Sequence, residues 1–176
     1  MSKLELNLER LRLWDLALCV RLNTAVRIVP IRRVFRIVSR LGDGMFWYAL
    51  MLALLAVNGA KALIPVAHMA ATGLVCTLLY KWLKSRTSRP RPFAVESAVR
   101  AGAEPLDAFS FPSGHTLHAV AFSAVAVAYY PMLAVLLAPF TVLVALSRVV
   151  LGLHYPSDVL AGAALGALIA CASFWF

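Results

Sequence analysis

The sequence predicts an all-α integral membrane protein: a bundle of about five transmembrane helices, preceded by N-terminal interfacial amphipathic helices. Three observations predict it. Hydrophobic residues make up 62% of the chain and charged residues 14%, against roughly 45–50% and about 25% in soluble domains. Mean hydropathy is +0.82, so a soluble globule of this size would lack the polar surface to cover itself. The apolar runs after Met45 are also too long for barrel strands, which leaves helices as the spanning element.

Residues 1–40 form the first unit and 41–176 the second. In the first, Leu4, Leu6, Leu8, Leu11, Leu13, Trp14, Leu16 and Leu18 alternate with Glu5, Glu9, Arg10, Arg12 and Asp15. From Val26 to Arg40, Ile28, Val29, Ile31, Val34, Phe35, Ile37 and Val38 interleave with Arg27, Arg32, Arg33, Arg36 and Arg40. This patterning suits helices lying in the head-group region with basic stems snorkelling outward. Pro30 separates the two helices. The alternative is a tilted span over about 11–29, which would bury Asp15, Arg21 and Arg27. No cleavable signal peptide is expected, because arginines interrupt the first thirty residues.

The break Leu41-Gly42-Asp43-Gly44 leads to a first span over about 45–59, with Phe46, Trp47 and Tyr48 as an interfacial belt. It is short for a full crossing. A turn near Asn58-Gly59 precedes the second span, about 62–83, which holds His68. A lone histidine among alanines and methionines reads as a packed or hydrogen-bonded residue. The third span is about 113–130, the fourth about 132–150 with Pro131 in the turn before it, and the fifth about 159–176. Gly162 and Gly166, four apart with Ala163 and Ala167 beside them, permit close helix approach. Packing within the chain is the expected use of that face and homodimerisation the second. Cys19, Cys76 and Cys171 are scattered, with neither metal nor disulfide spacing, and are read as small apolar fillers.

Five spans put three polar stretches on one side of the bilayer. The first, KSRTSRPRP, sets Lys84, Arg86, Arg89 and Arg91 at the membrane edge. Alone it reads equally as a topology signal. The second, FPSGHT, opens an apolar helix at Pro112-Ser113-Gly114-His115. Proline suits a first helical turn, and the N–H groups of Ser113, Gly114 and His115 should face outward as an anion site. The third, SRVVLGLHYPSD, carries Arg148, His154 and Asp158. A carboxylate four residues from an imidazole can hold a ring N–H and leave the other nitrogen free to attack. A guanidinium is a natural clamp for phosphate oxygens.

These stretches resemble the type 2 phosphatidic acid phosphatase superfamily, the lipid phosphate phosphatases, which share a site with vanadium-dependent haloperoxidases. Its pattern is Lys, six residues, Arg-Pro; then Pro-Ser-Gly-His; then Ser-Arg, five residues, His, three residues, Asp. The chain matches at Lys84, Arg91 and Pro92; at Pro112, Ser113, Gly114 and His115; and at Ser147, Arg148, His154 and Asp158. The resemblance covers about 45–176. It implies hydrolysis of a lipid phosphomonoester or diphosphate through a phosphohistidine, with undecaprenyl diphosphate favoured and phosphatidylglycerophosphate or phosphatidic acid as alternatives. It implies His154 as nucleophile, Asp158 as its orienting acid and His115 as general acid. Lys84, Arg91, Arg148, Ser113 and Gly114 would hold phosphate oxygens. No metal or other cofactor is implied. Glu96, Glu104 and Asp107 show no two-metal spacing and read as loop solvation; Arg86 and Arg89 read as rim charges. Tyr155 and Pro156 shape the turn that aims His154.

The expected partners are the lipid phosphate and the surrounding membrane lipids, with no nucleic acid, since nothing resembles a reading module. The implied location is a bacterial inner membrane. All lysines and arginines except Lys61 fall on the side of the site under this topology, which by the positive-inside rule would be cytoplasmic. The family favours the periplasmic side instead, and some of these cations serve the substrate rather than topology. Three rivals remain: a soluble haloperoxidase, which the composition opposes; a phosphotransferase resolving the same intermediate with an acceptor; and a non-enzymatic scaffold or transporter subunit.

Overall fold

The computed structural model describes residues 3–175. Phe176, the expected end of the fifth span, lies outside the described residues, as do the side chains of Leu4 and Leu8. The described chain is all-α. Helices α1 (Lys3–Asn23) and α2 (Val29–Leu41) are joined by a 3-10 turn, Thr24–Arg27. Then follow α3 (Met45–Asn58), α4 (Leu63–Thr87), the single turn α5 (Pro92–Val95), α6 (Gly114–Tyr129), α7 (Ala134–Val150) and α8 (Pro156–Ala172). Pro30 falls in the first turn of α2, where its missing N–H costs nothing. Gly59 turns the chain between α3 and α4 at φ +57°, a conformation that glycine adopts without strain. Helix α4 runs past the expected span end and carries Lys84 in its last turn.

Helix α6 is the central element, packed by α4, α7 and α8. Its contact with α8 is backbone-close. A Cβ at Gly162 would stand 2.5 Å from the Ser113 carbonyl oxygen, and one at Gly166 2.4 Å from that of Leu117. The small-residue face of α8 is therefore spent on α6, within the chain. The main apolar core gathers Trp47, Met51, Met69, Phe122, Leu137 and Val144. Trp47 corrects the expected aromatic belt: it is 1% exposed and packs on Phe122 and Phe140, while Tyr48 alone of the three is exposed.

The outer faces are apolar: Leu52, Val57, Ile64, Leu78, Val135 and Leu160 all stand exposed. Two helical stretches, Met45–Thr87 (α3 and α4 with their turn) and Pro131–Val150, are long and apolar enough to cross a membrane, and Pro156–Ala172 is a shorter apolar helix. His68 bonds as expected of a structural residue, Nδ1 with the Tyr129 hydroxyl at 3.0 Å and Nε2 with Ser173 Oγ at 2.7 Å. Cys19 and Cys76 are buried and Cys171 is exposed.

Helices α1 and α2 are tied to the rest by polar contacts. Asn23, at the end of α1, donates to the Arg100 and Val150 carbonyls (2.9 Å each) and accepts from the Arg100 N–H at 2.7 Å. Arg36 of α2 donates twice to the Gly102 carbonyl, at 3.1 and 2.7 Å. These bonds pin the loop between α5 and α6 over the end of α7.

Candidate active site

The site is assembled at the ends of four helices. Helix α7 finishes in a tight turn in which the Leu153 and His154 N–H groups both donate to the Arg148 carbonyl, at 3.0 and 3.1 Å. Gly152 makes this turn at φ +72°, and any Cβ there would meet the Arg100 carbonyl oxygen at 2.8 Å. Pro156 then opens α8, and Asp158 in its first turn accepts from the Tyr155 N–H at 2.9 Å. His154 thus lies in the turn rather than on the helix. Its Nδ1 faces Asp158 Oδ2 at 3.6 Å, beyond hydrogen-bond length, and has no partner in the described residues.

The other ring nitrogen, Nε2, lies 3.3 Å from Arg91 Nη1. A guanidinium has only N–H groups to offer, so Nε2 presents its lone pair and the ring proton belongs on Nδ1, toward Asp158. Arg91 is itself held by the Leu153 carbonyl at 2.7 Å. Burial, reinforced by Arg148 and Arg91, pushes the His154 imidazole far below its ordinary value. At neutral pH the ring is an uncharged base.

Lys84, Arg91, Gly114, His115, Arg148 and His154 line one cavity of ≈ 730 Å³. Its far wall is apolar, formed by Trp47, Met51, Ala70, Leu74 and Phe122. Arg148 is 3% exposed; one Nη donates to Ser39 Oγ of α2 and its buried Nε has no partner in the described residues. Among the described residues no group of three or more His, Cys, Asp or Glu is placed to hold a metal ion.

The structure corrects the sequence reading at three positions. Ser113 does not offer a free N–H: it donates to the Asp158 carbonyl at 3.0 Å, its Oγ pairs with Thr116 Oγ1 at 3.0 Å, and the residue is fully buried. The close α6–α8 packing that Gly162 allows turns this group inward. Asp107 is not loop solvation. Its carboxylate takes Lys84 Nζ at 2.6 and 2.7 Å and Arg91 Nη2 at 2.8 Å, and these two cations hold its carboxyl below the usual range despite burial. Arg89 is not a rim charge either, since it bridges Asp15 at 2.7 Å and Asp158 at 2.6 Å. Arg86 does stay exposed, its guanidinium 5.8 Å from the Trp82 ring centroid.

Sequence reasoning missed two further carboxylates. Asp43, in the turn between α2 and α3, contacts His115 Nε2. Asp15 of α1 is 1% exposed and accepts from the Ser157 N–H at 2.8 Å. Neither has a spacing signal, because each reaches its partner across more than seventy residues. The only hint for Asp43 was a lone acid between two glycines at a helix break.

Known proteins resemble this chain along most of its length. It superimposes on the crystal structure of Aquifex aeolicus LpxE with a TM-score of 0.79 and 26% identity, covering 92% of this chain and 94% of that one. The transmembrane PAP2-type phosphatidylglycerolphosphate phosphatase of Bacillus subtilis superimposes at a TM-score of 0.69 and 28% identity, covering 95% and 86%. In sequence, the chain is 33% identical over 105 residues to the lipid A 1-phosphatase of Rhizobium johnstonii, covering 57% of this chain and 43% of that one. The chain thus spans under half the length of that curated relative. With these transmembrane likenesses and its apolar exterior, the chain is a membrane protein. The PAP2 superfamily pattern matches residues 61–176, a stretch holding all three motifs, and the chain belongs to the PAP2 superfamily.

Proposed function

We propose that the protein is a lipid phosphate phosphatase working through a phosphohistidine on His154. The observation that carries this reading is the single cavity with a cationic end at Lys84, Arg91 and Arg148 and an apolar end at Trp47, Met51, Leu74 and Phe122. A lipid phosphate has the same two ends. His154 Nε2 attacks phosphorus as the bond to the leaving oxygen breaks, and His115 supplies that oxygen with a proton. Water then attacks the phosphohistidine; its proton returns to His115, the P–N bond breaks, and inorganic phosphate leaves.

The uncharged, buried imidazole is suited to the first step. As positive charge develops on the ring, Asp158 closes the 3.6 Å gap and stabilises it. Lys84, Arg91, Arg148 and the backbone at Gly114 hold the equatorial oxygens, where charge accumulates in phosphoryl transfer. Ser113 contributes by fixing the start of α6 to α8 rather than through a donor of its own. Asp43, in contact with His115 Nε2, orients that ring toward the leaving group. The incoming phosphate takes the place of the Asp107 carboxylate on Lys84 and Arg91.

Undecaprenyl diphosphate is the favoured substrate, because three clamp cations and Lys81 on the same wall exceed the charge of one phosphate group. Phosphatidylglycerophosphate and lipid A 1-phosphate, carried by the relatives' names, are the alternatives. In this reading α3, α4, α6, α7 and α8 are the five spans, and α1 and α2, residues 1–40, lie in the interface on the side of the site. Helix α3, 14 residues long, rises about 21 Å, and it crosses with its flanking turns and local thinning of the bilayer. The site faces the periplasm of a bacterial inner membrane. The test is phosphate release from these three lipids in detergent, with His154→Ala as control. Metal-independent release by the wild type, lost in the variant, supports the reading; release unchanged in the variant removes His154 as nucleophile.

A further inference from the structure

We infer that Arg89, braced by Asp15 of α1, is a positioning residue that fixes the Asp158 carboxylate against His154. This rests on the reading of His154 as nucleophile and adds to it two residues that hold no fixed position in the family pattern.

The geometry is specific. Arg89 Nη1 donates to Asp158 Oδ1 at 2.6 Å and to Ser157 Oγ at 2.8 Å, and Nη2 donates to Asp15 Oδ2 at 2.7 Å. The guanidinium lies 4.0 Å from the Tyr155 ring centroid, so its plane is held as well as its ends. Asp15 accepts in addition from the Ser157 N–H at 2.8 Å and from Ser157 Oγ. Asp15 and Asp158 are 1% and 0% exposed. One oxygen of Asp158 is therefore committed to Arg89, and the other to the Tyr155 N–H and the face of His154 Nδ1.

Two buried carboxylates sharing one cation depend on it. Without Arg89 both would lose their shared countercharge in a buried site, and one would take up a proton. A protonated Asp158 stabilises no imidazolium. Arg89 thus supplies both the direction of Asp158 and its charge, and α1 becomes a support of the catalytic turn. Neither Arg89 nor Asp15 lines the cavity, so their loss should change turnover and leave substrate binding alone.

The test is steady-state kinetics of the full chain in detergent against pH. The charged and titratable groups around Asp158 are Arg89, Arg91, Asp15, Cys19 and Tyr155, with His154 itself. Arg89→Met should lower kcat about 10–100-fold, the range seen when a metal-bound histidine loses its outer partner. KM should stay within about twofold, as expected for a group that acts only on the reacting step, and the acid limb of kcat should move to higher pH. Arg89→Lys, which keeps the charge but cannot bridge both carboxylates, should restore the limb and part of kcat. Wild-type kcat in Arg89→Met overturns the inference, as does a loss that falls on KM. If Arg89→Met does not fold, Asp15→Asn decides: reduced kcat at constant KM supports the inference and wild-type kcat overturns it. A dead His154→Ala beside a fully active Arg89→Met would sink this inference alone; an active His154→Ala would sink the phosphohistidine reading beneath it.

Discussion

Two of the three imidazoles lining the cavity, those of His154 and His115, are each paired with a carboxylate, yet the pairs are built in opposite ways. His154 and Asp158 are four residues apart and almost fully buried, and the carboxylate is already engaged by the Tyr155 N–H and Arg89. His115 and Asp43 are 72 residues apart, and Asp43 comes from a partly exposed turn with 31% of its side chain accessible. The first pair is locked within one turn and surrounded by cations, which suits a neutral nucleophile. The second joins two separate helices at the cavity edge, which suits a group that trades protons with substrate and water. Location, more than residue type, assigns the roles.

The largest blow to this contrast would come from His154→Ala. Phosphate release should fall about 10⁴-fold or more, as when the nucleophile of a cooperating set is removed, and acid-labile labelling of the protein by a radioactive lipid phosphate should vanish. His115→Ala should cost about 10²–10⁴-fold with a lipid phosphomonoester, whose leaving alkoxide needs a proton, but far less with p-nitrophenyl phosphate, whose leaving group needs none. An equal loss on both substrates would erase the distinction between the pairs. Asp43→Asn should show the same leaving-group dependence at roughly tenfold, the low end for an orienting partner.

Asp107→Asn sharpens the picture from the clamp side. It removes the anion now resting on Lys84 and Arg91, so inorganic phosphate and vanadate should inhibit several-fold more tightly, by about 1 kcal/mol or less for a part-exposed pair. Weaker inhibition would mean that Asp107 shapes the clamp rather than occupying it. The smallest effect concerns pH. His154 binds a proton less readily when folded than when unfolded, so its contribution to stability is present above about pH 6.5 and lost as pH falls below it. A melting curve in detergent should show that decline, and His154→Asn should flatten it.

Much of this was legible in the chain. The five apolar runs stand where α3, α4, α6, α7 and α8 form, because burial and lipid exposure both follow hydropathy. Lys84, Arg91, Gly114, His115, Arg148 and His154 share a cavity because each lies at or beside a helix end on one side. What could not be read were the countercharges. Asp15, Asp43 and Asp107 find Arg89, His115 and Lys84 through tertiary packing, which leaves no periodic trace. The N–H of Ser113 was misread for a related reason: a helix start looks open in sequence until another backbone closes on it. Trp47 likewise matched an interfacial anchor in one dimension and a core residue in three.

The backbone contact at Gly162 and Gly166 carries a wider consequence. It fuses the start of α6 to the start of α8, so His115 and Asp158 travel as one rigid body. Room for a different lipid tail must then come from the α3 and α4 wall, around Met51, Ala70 and Leu74. Under the proposed reading, substitutions on that wall would change which lipid tails fit while leaving the cationic end untouched.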